Sequence, residues 1–174
     1  GLTGLPNRSQ MHETLERLML DKKQILALLF IDLDRFKPIN DSMGHPVGDK
    51  VLKEVAKRLS NAIRSQDLVA RIGGDEFTVI MSGLKSSDDA VMESLEVSER
   101  ILKKLAQPFK IEDRQLYLSC SVGVAIFPDN ADSGMDLLKN ADTAMYHAKA
   151  MGKNNVQFYA ENMNTHAMER LELE

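Results

Sequence analysis

One cysteine and no tryptophan occur in this chain, and aromatic residues of all kinds make up only 5% of it. A lone thiol, Cys120, has no intrachain partner. That excludes a disulfide-stapled scaffold and points to a reducing compartment, the cytoplasm. Long apolar runs are also missing. The longest, Ile25 to Ile31, falls far short of a bilayer span, and no charged start leads into an apolar stretch like that of a secretory signal. No membrane contact by this domain is therefore expected. An excess of basic residues is missing too, with 22 Lys and Arg against 26 Asp and Glu and a net charge of −4. The signs are intermixed, so a nucleic-acid backbone is excluded as the main partner, because such proteins carry a basic stripe. No internal repeat or low-complexity tract is visible. What remains is a chain of 174 residues, 43% of them hydrophobic, enough for one compact domain with its own core.

Leu2 to Arg8 is a turn-rich opening, after which Ser9 to Leu20 has Ser9 as a cap and Met11, Leu15 and Leu18 at helical spacing. Gln24 to Leu33 is nearly continuous apolar sequence, as in a strand buried on both faces, and it runs out at Asp32-Leu33-Asp34. From Pro46, suited to a first helical turn, apolar residues repeat at helical spacing to Ile63. Leu68 to Ile72 and Phe77 to Met81 are β-prone runs joined by Gly73-Gly74-Asp75-Glu76, which predicts a hairpin with two acids at its tip. Ala90 to Leu105 reads as a helix closed by Pro108. From Leu116 to Val124 apolar and small polar residues alternate, predicting a strand with one buried face. Met135 to Met151 is a helix ended by Gly152, and Val156 to Tyr159 a short last strand. This order predicts an α+β fold: a central mixed, mainly antiparallel sheet flanked by helices.

Three groups carry candidate chemistry: the acids at the strand exit, the acids of the hairpin, and the lysines around the last helix. If Asp32 and Asp75 lie on neighbouring strands, their oxygens can hold Mg²⁺, which prefers carboxylates completed by substrate phosphates. Taken singly, each acid is an ordinary strand or turn terminator, and each lysine ordinary solvated surface.

Several motifs occur together in a fixed order: Leu2-Thr3-Gly4-Leu5-Pro6-Asn7-Arg8, Phe30 to Asp41, Gly44 to Asp49, Ala70 to Phe77 with Gly73-Gly74-Asp75-Glu76-Phe77 at its centre, and Ala141-Asp142 through Ala148-Lys149. In this order they resemble GGDEF domains, the diguanylate cyclase family. The resemblance covers nearly the whole chain. It implies a palm-like sheet related to nucleotidyl cyclases and polymerases, and a domain spanning residues 1–159.

The resemblance also implies roles. Asp32, Asp75 and the carbonyl of Leu33 match metal ligands for Mg²⁺ or Mn²⁺, with Glu76 in the same signature, and Asp75 matches the acid that accepts the 3′-hydroxyl proton. Gly73 and Gly74 leave room for substrate. Asn40 and Asp49 match guanine readers, an amide for the base's acceptor and a carboxylate for its donors, and His45 matches a substrate-contacting position. Lys37, Lys149 and Lys153 match triphosphate clamps, aided by the N–H groups of Phe36 and Lys37. Lys153 stands where the family often has Arg, which removes a bidentate contact. Arg64 and Asp67 match an RxxD product-inhibitory site for cyclic di-GMP; spacing alone would make them an exposed ion pair near a helix end.

The implied activity is condensation of two GTP into cyclic di-GMP and two pyrophosphates by a homodimer, each subunit holding one GTP. The alternative is a silent module that binds GTP or cyclic di-GMP and regulates a neighbour. The intact acids favour activity. Residues 160–174 resemble the connector into an EAL phosphodiesterase domain, with a solvated charged helix as the other reading, and the abrupt start implies an upstream sensor.

Overall fold

The computed structural model describes residues 1–160. The proposed connector from 161 onward lies outside them. Helix α1 (Arg8–Met19) is started by Asn7, not Ser9: the Asn7 side chain accepts from the Gln10 N–H and the Gln10 side chain accepts from the Asn7 N–H, both at 2.9 Å. This reciprocal pair satisfies two donors that an opening helix leaves unpaired, so Ser9 falls inside the first turn. Strand β1 (Leu26–Asp34) follows, as its apolar run predicts. An unexpected short helix, α2 (Phe36–Met43), then leads through Gly44 into α3 (His45–Ala62), which carries Pro46 in its first turn as expected.

Strands β2 (Leu68–Arg71) and β3 (Glu76–Met81) form the expected hairpin. Helix α4 (Ser87–Leu105) begins earlier than Ala90 because the Ser86 hydroxyl caps it, accepting from the Asp89 N–H at 3.0 Å. The alternating stretch from Leu116 divides in two. Leu116 closes a small antiparallel pair, β4 (Phe109–Ile111) and β5 (Arg114–Leu116), and the long strand β6 runs over Ser119–Phe127. Helix α5 (Gly134–Ala150) and strand β7 (Val156–Phe158) complete the described residues.

The main sheet has five strands in the order β2-β3-β1-β6-β7. β1 sits at its centre, antiparallel to both β3 and β6, and only the β6–β7 pairing is parallel. The sheet is thus mixed and mainly antiparallel. Alternate residues of β1 point to opposite faces. Ala27, Leu29, Ile31 and Leu33 join one core with Val51, Val55 and Leu59 of α3 and Ile101 of α4; Leu26, Leu28 and Phe30 join another with Met11 and Leu15 of α1 and Leu137, Ala141 and Met145 of α5.

Helices on both faces explain why β6 is buried on both sides and not on one. The closest approach is at Gly123, where a Cβ would run into the main-chain Ala141 O and Met145 N of α5. Two consequences follow for chemistry. Asp32 and Asp34 continue the row that faces α5, and Asp32 lies directly opposite Glu76 on one side and Ser121 on the other. Among the described residues no helix is long and apolar enough to cross a membrane.

Candidate active site

The acids converge at the exit of β1. Asp32 is mostly buried and its Oδ1 has no hydrogen-bond partner, while Oδ2 lies 3.6 Å from the Lys149 ammonium. Asp75 sits in the turn between β2 and β3, with its main-chain carbonyl accepting from the Leu33 N–H at 3.2 Å, so the turn is fastened to the end of β1. Burial, then the neighbouring Asp75 carboxylate, pushes the Asp32 pKa up to about 7; Lys149 opposes this and Glu76 adds to it. Burial, with Asp142 and then Asp75, also raises Glu76, against Arg8 and Lys149.

These values describe a site too negative for its burial. An anionic oxygen with no partner is costly in a low-dielectric setting unless a cation meets it. Hard carboxylate oxygens and a main-chain carbonyl suit Mg²⁺ or Mn²⁺, so the donor set fits the ion. Among the described residues no three His, Cys, Asp or Glu side chains group to hold a metal ion by themselves, so substrate phosphates would have to complete the shell.

Beside the acids, α2 and α3 meet at a sharp corner. Asn40 Nδ2 lies 3.2 Å from His45 Nδ1. The Asn40 Oδ1 rests on Gly48, where a Cβ would collide with it. Only glycine there lets the amide lie flat, and Asp49 follows on the same turn, half-buried. No side chain caps α2, which begins at Phe36 after Arg35 takes a left-handed conformation (φ 60°). The first N–H groups of that helix therefore stand available to an anion. Lys37 is exposed, and Lys153 has φ 66° with its N–H bonded to the Ala148 carbonyl at 3.1 Å.

The family described as "Diguanylate cyclase, GGDEF domain" matches residues 1–155. The chain belongs to the GGDEF domain family. It is 39% identical over 99% of its length to the Pseudomonas aeruginosa protein named bifunctional diguanylate cyclase/cyclic di-GMP phosphodiesterase MucR, of which it spans 25%. Its structure resembles the GGDEF domain of TpbB (YfiN) from the same organism, with TM-score 0.89, 37% identity, and coverage of 100% of this chain and 98% of that one. The DgcB GGDEF domain of Caulobacter crescentus in complex with c-di-GMP is also similar, at TM-score 0.81 and 27% identity, covering 91% and 93% of the two chains. The sheet is thus the palm-like nucleotidyl-cyclase fold.

In this GGDEF domain Arg64 and Asp67 stand apart from the acids. Arg64 lies just beyond α3, which ends at Ala62, and its Nη2 donates to Asp67 Oδ1 at 2.6 Å and to the Ser82 carbonyl at 2.7 Å. Ser82 follows the end of β3 remote from Asp75, roughly 20 Å along the strand at about 3.3 Å per residue. The pair is not the exposed one its spacing suggests. Asp67 has a fully buried side chain and also accepts from the Arg64 N–H at 3.0 Å, while Arg64 Nη1 reaches Glu93 at 3.4 Å.

Two groups have roles that sequence reasoning does not assign. Asp34, 2% exposed, accepts from Ser119 Oγ at 2.6 Å, Ser121 Oγ at 2.7 Å, Lys149 Nζ at 3.2 Å and the Asn154 N–H at 3.1 Å. Lys149 is thereby aimed at Asp32 from below. The second group is Arg71, whose guanidinium donates to the Gly73 and Gly74 carbonyls of the turn. Spacing offers a signal for Asp34, since residues two apart on a strand share a face. Nothing in spacing marks Arg71.

Proposed function

We propose that this domain is a diguanylate cyclase, condensing two GTP into cyclic di-GMP and two pyrophosphates. The observation that carries the reading is the orphaned, buried Asp32 Oδ1 beside the Asp75 turn, a pair of acids that needs a cation and has phosphate-binding groups around it. Asp32, Asp75 and the Leu33 carbonyl would hold Mg²⁺ or Mn²⁺, with Glu76 alongside. A bound divalent ion supplies charge neutralisation of the triphosphate and acidifies the attacking hydroxyl.

The chain's own residues do the rest. Asp75 takes the 3′-hydroxyl proton as that oxygen bonds to the α-phosphorus of the other nucleotide and pyrophosphate leaves. Lys149 keeps one N–H on Asp34 and has two left for phosphate oxygens; Lys37, Lys153 and the N–H groups of Phe36 and Lys37 add to the same clamp. Two subunits face each other, one GTP on each, and the second bond closes the ring by the same step. Purified domain incubated with GTP and Mg²⁺ should yield cyclic di-GMP on nucleotide chromatography, with a forced-dimer fusion run in parallel. GTP left unchanged by both would overturn the reading. Relatives several times longer than this chain suggest further domains in the whole protein, an EAL domain and a sensor among them.

Asn40 and Asp49 would read guanine, the amide meeting the O6 acceptor and the carboxylate the N1 and N2 donors. Adenine presents the opposite pattern and leaves both groups unmet, so GTP should outcompete ATP by about 10²-fold or more. A competition titration in which ATP binds equally well would remove this assignment.

Arg64, whose side chain is 22% exposed, is proposed to contact cyclic di-GMP and inhibit turnover, with the buried Asp67 holding its guanidinium. In Arg64→Ala, product affinity should fall by about tenfold, the value of one lost charge-assisted contact, with product inhibition relieved and initial turnover retained. Because Asp67 would lose its partner, the melting temperature should also fall. Calorimetry showing parental product affinity would count against the site.

A further inference from the structure

The signature turn is held by more than its own backbone. Leu33 N–H takes the Asp75 carbonyl, and the Ile72 and Gly73 N–H groups take the Glu76 carbonyl at 2.9 and 3.3 Å. The two glycine carbonyls go to Arg71: Nε donates to Gly73 O at 3.1 Å and Nη2 to Gly74 O at 2.9 Å. A Cβ on Gly74 would meet nothing within 4 Å. Side-chain packing therefore does not fix position 74, although Gly73 rests on the Glu76 side chain, and glycine leaves the Gly74 peptide wide conformational freedom. Arg71 restrains it with a planar fork.

Arg71 also faces the other way. It ends β2, the edge strand of the sheet, and its main-chain N–H donates to the Pro6 carbonyl at 3.0 Å. Pro6 belongs to the leading segment, which is seated by Leu2 and Leu5 against the core and continues into the capped start of α1. One residue thus joins the leading segment to the turn that carries Asp75.

We infer that Arg71 is a positioning residue that couples the seating of Leu2–Pro6 to the geometry of Gly73–Asp75. Its effect on turnover rests on the cyclase reading above; its effect on the turn does not. A leading segment that shifts pulls on the Arg71 main chain, the fork loses its carbonyls, and Asp75 is released from its place beside Asp32.

Hydrogen exchange on the nucleotide-free and metal-free domain tests the coupling without any activity. In Arg71→Ala, the Ile72, Gly73 and Leu33 amides, which donate to the Glu76 and Asp75 carbonyls, should exchange about tenfold faster or more while the rest of β1 and β6 keep their protection, because local opening is distinct from global unfolding. In Leu5→Ala the Arg71 amide and those three amides should quicken together, and in the double variant Leu5→Ala should add nothing at the turn. In turnover assays Arg71→Ala should lower kcat by about 10–100-fold, as a misplaced group does, with the KM for GTP nearly unchanged. Arg71→Lys should recover part of it, since one ammonium lacks the fork. Unchanged exchange at the turn, uniform loosening of the whole sheet, or Leu5→Ala acting on the Arg71 amide alone would each overturn the inference. A parent that makes no cyclic di-GMP would overturn the cyclase reading, and the exchange data would still decide the coupling.

Discussion

Asp75→Asn should abolish cyclic di-GMP formation and leave the fold intact. The main chain of residue 75 is fastened to β1 through the Leu33 N–H, a bond that the substitution does not touch. What changes is the side chain, which loses a charge, a hard oxygen ligand and a proton acceptor at once. General-base catalysis alone contributes about 10²–10⁴-fold, so turnover should fall by about 10³-fold or more. Nucleotide chromatography reads the loss, and circular dichroism melts read the fold. Turnover within about tenfold of the parent would exclude Asp75 as the base, since that is less than the smallest general-base effect.

The same variant has a pH signature. Asp32 titrates near 7, against an ordinary value of 3.8, first through burial and then through Asp75. A carboxyl whose pKa rises on folding binds more protons in the folded chain, so between about pH 4 and 7 it lowers stability as pH increases. Asn at position 75 removes one cause of the shift. Without metal, the variant should therefore lose less of its melting temperature than the parent between pH 5 and 8.

Much of this architecture is legible in the sequence where burial is uniform along an element. β1 reads as a doubly buried strand because every residue from Leu26 to Ile31 is apolar, and α3 because its apolar stripe is regular. The parts that escape are set by tertiary contacts. α2 contains Pro38 and no long apolar stripe, and it is shaped by the corner at which Asn40 meets His45 and Gly48. β4 and β5 are three residues each, too short for periodicity to register. β6 alternates because Ser121 and Gly123 serve particular neighbours, Asp34 and the α5 backbone, and not because one face meets water.

The candidate site divides in a similar way. Asp32 and Asp75 are visible as motif acids, but their shared strand end follows only from β1 and β3 being neighbours. Lys149 reads as a phosphate clamp, and sequence gives no hint that a buried carboxylate holds it. Spacing alone makes Arg64 and Asp67 an exposed pair, yet the Asp67 side chain is fully buried and Arg64, held also by Ser82 and Glu93, is half-buried.

Asp34→Asn should cost the domain more stability than a single hydrogen bond is worth. Burial alone would raise the pKa of this carboxyl, but donors from Ser119, Ser121, Lys149 and the Asn154 main chain together outweigh it and hold the group below its ordinary value. An amide offers one oxygen and turns an NH₂ against two of those donors. Lys149 then keeps its charge with its shorter anionic contact gone, and only Asp32 at 3.6 Å remains. Breaking a buried pair from one side costs about 3–5 kcal/mol, which for a domain of this size lowers the melting temperature by roughly 10 °C. The acid limb should change as well. A carboxyl whose pKa falls on folding contributes stability above its unfolded pKa and loses it as pH drops through the folded value. The parent should therefore lose melting temperature below about pH 4, near the ordinary carboxylate value, and the variant should lack that part of the decline. Melts from pH 3 to 8 decide the matter, and a variant that matches the parent at neutral pH with the same acid slope would show that the four donors do not depend on the charge of Asp34.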